Sequence, residues 1–242
     1  MSLNTLNPYP SYGDQFKSGL NAIIAALPGA PTIADLVAKV EAYVEPIYYP
    51  AGATTAQKME LKSIVYSAIN SYVNGQVKSM YSGSSKGFVD MLIGPSLQSN
   101  LPVDAIKNRI LDIEDNLSES NLSVETQTPL LLATQVGVVA YDYWLGEIAL
   151  GAGSAWITYL TAAKVSAMGN VPFWTASAME GSLIGTRSTN RGMIETTTQI
   201  VTTEIIASLT AALTIAVGKV IFLWIPRLQR NGGLPGGCGC SK

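Results

Sequence analysis

Residues 128–163 read TPLLLATQVGVVAYDYWLGEIALGAGSAWITYLTAA, and this stretch decides the fold class. Leu130, Leu131, Leu132, Val136, Val138, Val139, Trp144 and Leu145 mark an apolar segment interrupted by acids only at Asp142 and Glu147. It is far longer than a strand and lacks strand alternation, so it reads as helix. Gly151 and Gly153 are the expected break or kink. The flanking segments repeat apolar residues at steps of three and four. Phe16, Leu20, Ile23, Ile24 and Leu27 do so after Asp14. Ile33, Leu36, Val37, Val40 and Val44 follow Thr32 as a cap. Met59, Ile64, Val65, Ala68, Ile69, Tyr72 and Val73 follow Thr54 or Thr55, and Val103, Ile106, Ile110, Leu111 and Ile113 follow Pro102. No βαβ rhythm occurs. The expectation is an all-α helical bundle with an apolar C-terminal helical hairpin.

Three regions are expected: a soluble helical region at 1–127, an apolar helical region at 128–230 and a flexible Gly/Cys tail at 231–242. Residues 1–127 hold 12 acids and 8 bases, and residues 128–242 hold 5 acids and 7 bases. The second part is thus apolar and slightly cationic, which suits anionic lipid. No dense Lys/Arg stripe exists, so nucleic acid is not an expected partner. The start, MSLNTLNPYPSYGDQF, has neither a basic n-region nor an apolar core, so no standard signal peptide is expected. Residues 1–13 read as an extended lead-in, 82–87 as a Gly/Ser loop, 116–128 (NLSESNLSVETQT) as the loop between the regions, and 170–172 as a turn.

The last apolar segment, Ile205–Ile225 (IIASLTAALTIAVGKVIFLWI), carries one charge, Lys219. As a helix it would be roughly 31 Å long, about the thickness of a bilayer's hydrocarbon core. Eleven Ile, Leu, Val and Phe residues favour insertion by roughly 3–6 kcal/mol in sum, and a central lysine opposes it by about 2.5–3.5 kcal/mol. The segment is a marginal span, with Lys219 near enough to Arg227 and Arg230 to snorkel. Ile205, Leu209, Leu213, Lys219, Phe222 and Trp224 are the residues expected to meet lipid or a partner helix. Ser177, Gly181 and Gly185 fall at steps of four, as do Ser208, Ala212 and Ala216. Such small residues let two helices approach closely, in lipid or in a protein hairpin.

Catalytic chemistry is sparse. The chain has no histidine, which excludes Ser-His-Asp and Cys-His catalysis and histidine metal sites. It has no GxxxxGK[ST] loop, and no GxGxxG after a strand. Asp112, Glu114 and Asn116 occupy positions one, three and five of a calcium loop, but Leu117 and Ser123 stand where glycine and glutamate are required. They read as a solvated helix end. Asp142 and Glu147 read either as a polar passage or cation pair, or as residues on the wet side of a helix paired with Lys164 or Arg187. Cys238 and Cys240, the only cysteines, are weak candidates for a soft metal or a lipid. Gly232-Gly233 and Gly236-Gly237 look like a processing site ahead of a cysteine peptide. No cofactor is expected.

Asn7-Pro8-Tyr9, Tyr12-Gly13 and Gly19-Leu20, together with Leu130–Trp144 and the small-residue run Trp174–Gly185, resemble a set of small, mostly uncharacterised helical proteins found chiefly in Bacteroidota. The resemblance implies a soluble helical front half, an aromatic stretch and a Gly/Ala-rich end. It departs at Ala176–Gly181, where an Asp-containing motif would stand, and it implies no catalytic residues. The expected function is that of a non-enzymatic helical protein with a membrane-seeking C-terminal region, pore-forming or bacteriocin-like. The alternatives are a soluble interaction or assembly protein that buries the same helices, self-association included, and a carrier of the cysteine-bearing peptide.

Overall fold

A computed structural model describes residues 7–9, 11–26, 42, 79, 81–93, 102–162 and 171–189. Its elements are α1 (Ser11–Ala25), α2 (Gly83–Ile93), a 3-10 turn (Val103–Ala105) leading into α3 (Ile106–Ser118), α4 (Val124–Leu150), a second 3-10 turn (Gly151–Gly153), α5 (Ala155–Ala162) and α6 (Val171–Thr189). The described residues contain no strand, and the fold is all-α.

The 27-residue α4 is the centre of the bundle. Every residue from Pro129 to Val138 is buried. A helix apolar on all sides must be enclosed on all sides; among the described residues α1, α3 and α6 pack against it, with α2 touching α3, α4 and α6. Each outer helix presents one stripe: Gly13, Phe16, Gly19, Leu20 and Ile23 on α1, and Ile106, Ile110, Ile113 and Leu117 on α3. One cluster of buried side chains runs through all of them. It joins helices from both sides of residue 127, and α4 itself runs across that position.

Two glycines set how closely the helices pack. A Cβ on Gly13 of α1 would collide with the Val139 side chain and sit 3.1 Å from the Gln135 carbonyl oxygen of α4. A Cβ on Gly137 of α4 would lie 2.5 Å from Met179 Sδ of α6. The missing side chains let α1 and α6 lie directly against α4.

Several expected loops are shorter than their composition suggests. Residues 82–87 are not a loop, because α2 begins at Gly83. Gly83 takes φ +56°, Ser85 Oγ donates to the Ser82 carbonyl at 2.6 Å, and Ser85, Val89, Leu92 and Ile93 form the buried stripe. The linker at 116–128 contracts to 119–123, because α3 runs to Ser118 and α4 starts at Val124. The Ser123 carbonyl accepts the Thr126 and Gln127 amides, each at 2.9 Å. Of the expected turn at 170–172, residues 171 and 172 belong to the first turn of α6, where Pro172 needs no amide partner. The lead-in ends at Ser11, where α1 begins. The expected break after α4 is present: Gly151, at φ +53°, ends the helix.

Of the apolar C-terminal hairpin, the residues of α6 are described. Ile205, Ser208, Leu209, Ala212, Leu213, Ala216, Lys219, Phe222, Trp224, Cys238 and Cys240 lie outside the described residues. Ser177 and Gly181 are buried within α6, and Gly185 lies one turn further along it.

Candidate functional site

Among the described residues, the most concentrated buried polar chemistry lies around Glu114. This residue follows Ile110 by four and precedes Leu117 by three, so it falls on the buried stripe of α3. Its side chain is 0% exposed. Of the expected solvated helix end, the solvent exposure holds for its neighbours Asp112, Asp115 and Asn116, and fails for Glu114. The calcium-loop alternative fails as well. The three residues lie in mid-helix, and Asn116 Nδ2 donates to the Asp112 carbonyl at 2.7 Å. Among the described residues, no group of three Asp, Glu, His or Cys side chains could hold a metal ion.

Burying an isolated carboxylate is costly unless donors replace water. Here they come from two elements, and all converge on Oε2. Thr134 Oγ1 of α4 donates to it at 2.6 Å, Asn7 Nδ2 at 2.8 Å and Gln135 Nε2 of α4 at 3.1 Å. Asn7 Nδ2 also donates to the Leu131 carbonyl at 3.0 Å, and Asn7 Oδ1 accepts the Tyr9 amide at 3.0 Å. Asn7 is thereby locked between α3 and α4, and Pro8, which has no amide hydrogen, sits in the turn it makes. The second oxygen of Glu114, Oε1, and the amide oxygen of Gln135 are buried without a hydrogen-bond partner.

A second cluster surrounds the tryptophans. Trp144 of α4 lies 4.6 Å from Trp174 of α6, centroid to centroid, and 5.9 Å from Trp156 of α5. Trp156 Nε1 donates to the Tyr143 hydroxyl at 2.5 Å, and that hydroxyl donates to Asn21 Oδ1 of α1 at 3.2 Å. The indole nitrogens of Trp144 and Trp174 have no acceptor. Burial, then the nearby Glu147 carboxylate, push the Tyr143 hydroxyl well above the usual tyrosine range, against the opposing Trp156 hydrogen bond. The folded state therefore holds this proton more tightly than the unfolded state. Its contribution is complete below the ordinary tyrosine value of 10.0 and is lost as pH rises beyond it. Tyr143→Phe is expected to flatten the stability decline above about pH 10, while lowering stability at neutral pH by about 1–3 kcal/mol because Trp156 loses its acceptor. Denaturant melts at pH 7 and at alkaline pH check both; an unchanged alkaline decline would refute the assignment.

Asp142 and Glu147 take the wet side of α4. Asp142 is exposed and pairs with Lys107 Nζ of α3 at 2.5 Å. This partly exposed pair stabilises by at most about 1 kcal/mol. Glu147 accepts from Ser154 Oγ at 2.5 Å, and Ser154 Oγ also accepts the Ile157 amide at the start of α5 at 3.0 Å. Lys164 lies outside the described residues.

Three stretches distant in sequence meet in this core. Asn7 reaches Glu114 and Leu131, Gly13 lies against Val139, and Trp144 packs at a tilt against Trp174. Comparison with protein-family models, with curated proteins and with solved structures found no match.

Proposed function

We propose that the chain is a non-enzymatic helical protein whose bundle carries one remaining apolar element, Ile205–Ile225, to a lipid surface. The observation that carries this reading is the fate of the other two apolar stretches of the last third. The described residues of α4 and α6 are largely buried in the bundle, and the sequence holds a further long apolar stretch, Ile205–Ile225, with a single charge. Among the described residues no helix is long and apolar enough to cross a membrane. A non-catalytic role is supported by the missing histidine and by the position of Glu114, whose buried oxygens cannot reach an external substrate.

The second reading is assembly through the same segment, on this chain or another copy. The Gly137–Met179 contact favours it, because close helix packing in this protein already occurs inside the bundle.

Ala212→Glu separates the two. A central acid opposes insertion by about 2.5–3.5 kcal/mol. Under the lipid reading, the wild-type chain floats with anionic liposomes, the variant does not, and its melting temperature is unchanged. Wild-type protein that stays in the aqueous fraction, with a variant that melts globally at lower temperature, would replace the lipid reading with assembly.

A further inference from the structure

Residues 7–9 lie outside α1 and run along α4 instead. The Tyr9 hydroxyl is 3.2 Å from Thr128 Oγ1, and Asn7 Nδ2 donates to the Leu131 carbonyl at 3.0 Å and to Thr134 Oγ1 at 3.4 Å. Thr128, Leu131 and Thr134 follow one another at steps of three, a track of roughly 9 Å along the helix. Glu114 of α3 takes the Asn7 amide at 2.8 Å from the other side of this seam. Among the described residues, no backbone–backbone hydrogen bond joins 7–9 to α3 or α4, so recognition rests on the side chains of Asn7 and Tyr9. The shape of the segment is set from within. Asn7 Oδ1 accepts the Tyr9 amide at 3.0 Å, an Asx turn, and Pro8 fixes its own φ. Neither constraint involves α1. The segment's ties to that helix are the Tyr12 amide, which donates to the Tyr9 carbonyl at 3.2 Å, and the edge-on contact of the two tyrosine rings.

We propose that the α3–α4 seam is a recognition site for an Asn-Pro-Tyr segment, filled in trans by residues 7–9 of a second copy of this chain, so that two copies couple by exchanging the segment. The seat requires an occupant. Asn7 is one of three donors to a carboxylate that is 0% exposed, and vacating the seat leaves that buried charge short of a donor. The segment carries its recognition groups and their arrangement with it, so the seam meets the same chemistry whichever copy supplies it. Exchange replaces each seam contact with an identical one and gives up only the Tyr9–Tyr12 tie to α1. That small loss is what makes swapping of an identical element a low-cost route to dimers. The inference is independent of Ile205–Ile225 and of what that stretch binds.

The probe is a synthetic peptide of residues 1–13, added to the full-length Asn7→Ala chain, whose own segment lacks the carboxamide. At saturation the peptide raises the melting temperature of that variant by several degrees, and a peptide carrying the same Asn7→Ala change does not. If Asn7→Ala does not fold, Asn7→Ser takes its place, keeping a polar group at the seat without the carboxamide. Sedimentation of the full-length chains then tests the second copy. Wild type forms a dimer whose share grows with concentration, and the Asn7 variant dimerises about tenfold more weakly or worse, as expected for losing a hydrogen bond to a charged group. Two results overturn the proposal. One is that the native and altered peptides act alike on the variant, stabilising it equally or not at all. The other is a wild-type chain that stays monomeric, or a dimer that the Asn7 variant forms as readily, which assigns association to a different surface.

Discussion

Glu114→Ala is expected to lower folding stability by about 3–5 kcal/mol, a large share of the roughly 5–15 kcal/mol that a domain possesses. The substitution removes the acceptor that Thr134, Asn7 and Gln135 share. An orphaned buried donor costs about 1–3 kcal/mol. Asn7 and Thr134 recover part of this through the Leu131 carbonyl, at 3.0 and 2.8 Å; Gln135 has no such alternative. Urea melts of Glu114→Ala, Asn7→Ala and the double variant measure the coupling, expected at about 0.5–3 kcal/mol for groups in one network. A loss below about 1 kcal/mol for Glu114→Ala would mean that the hydrogen bonds are not the anchor described above.

Trp144→Ala is expected to have an effect of similar size, about 3–5 kcal/mol, by cavity formation. The ring is fully buried and touches the tryptophans of α5 and α6 as well as Tyr143. No single neighbour can move into the space, because each is fixed by its own helix. Trp144→Phe keeps part of the volume and removes the unpartnered indole nitrogen, so its cost is smaller. Denaturant melts and the near-ultraviolet circular dichroism of the coupled indoles report both variants. A Trp144→Ala protein as stable as Trp144→Phe would show that the ring is not a packing centre.

The sequence reveals those features of this fold that follow from local repetition. The α3 stripe is legible from Ile106, Ile110 and Ile113, and the end of α4 from Gly151. The start of α2 is not, because Gly83, Ser84 and Ser85 are turn formers by intrinsic preference, and only packing of Val89 and Leu92 makes them helical. The residues before Thr128 are polar enough to suggest loop, yet Val124–Gln127 form the exposed to half-buried first turn of a helix held by its buried continuation. Glu114 had a signal that composition obscured. Acids on both sides suggest a solvated patch, whereas its spacing from Ile110 and Leu117 places it inward. The polar partners of Glu114 could not be read locally, since Asn7 lies 107 residues away. The Trp144–Trp174 contact likewise depends on how α6 returns against α4.

The anchoring of Asn7 also bears on the order of folding. Its side chain bonds to Glu114 and to the Leu131 carbonyl, across 107 and 124 residues of sequence. During synthesis Asn7 leaves the ribosome long before either partner exists, so this junction cannot form until α3 and the first turns of α4 are made. Contacts of such long range pay their loop-closure entropy before they return any energy, and they belong to the late side of the folding barrier. Asn7 therefore governs how long the assembled bundle persists more than how fast it assembles. Weakening it accelerates unfolding and leaves the folding rate nearly unchanged.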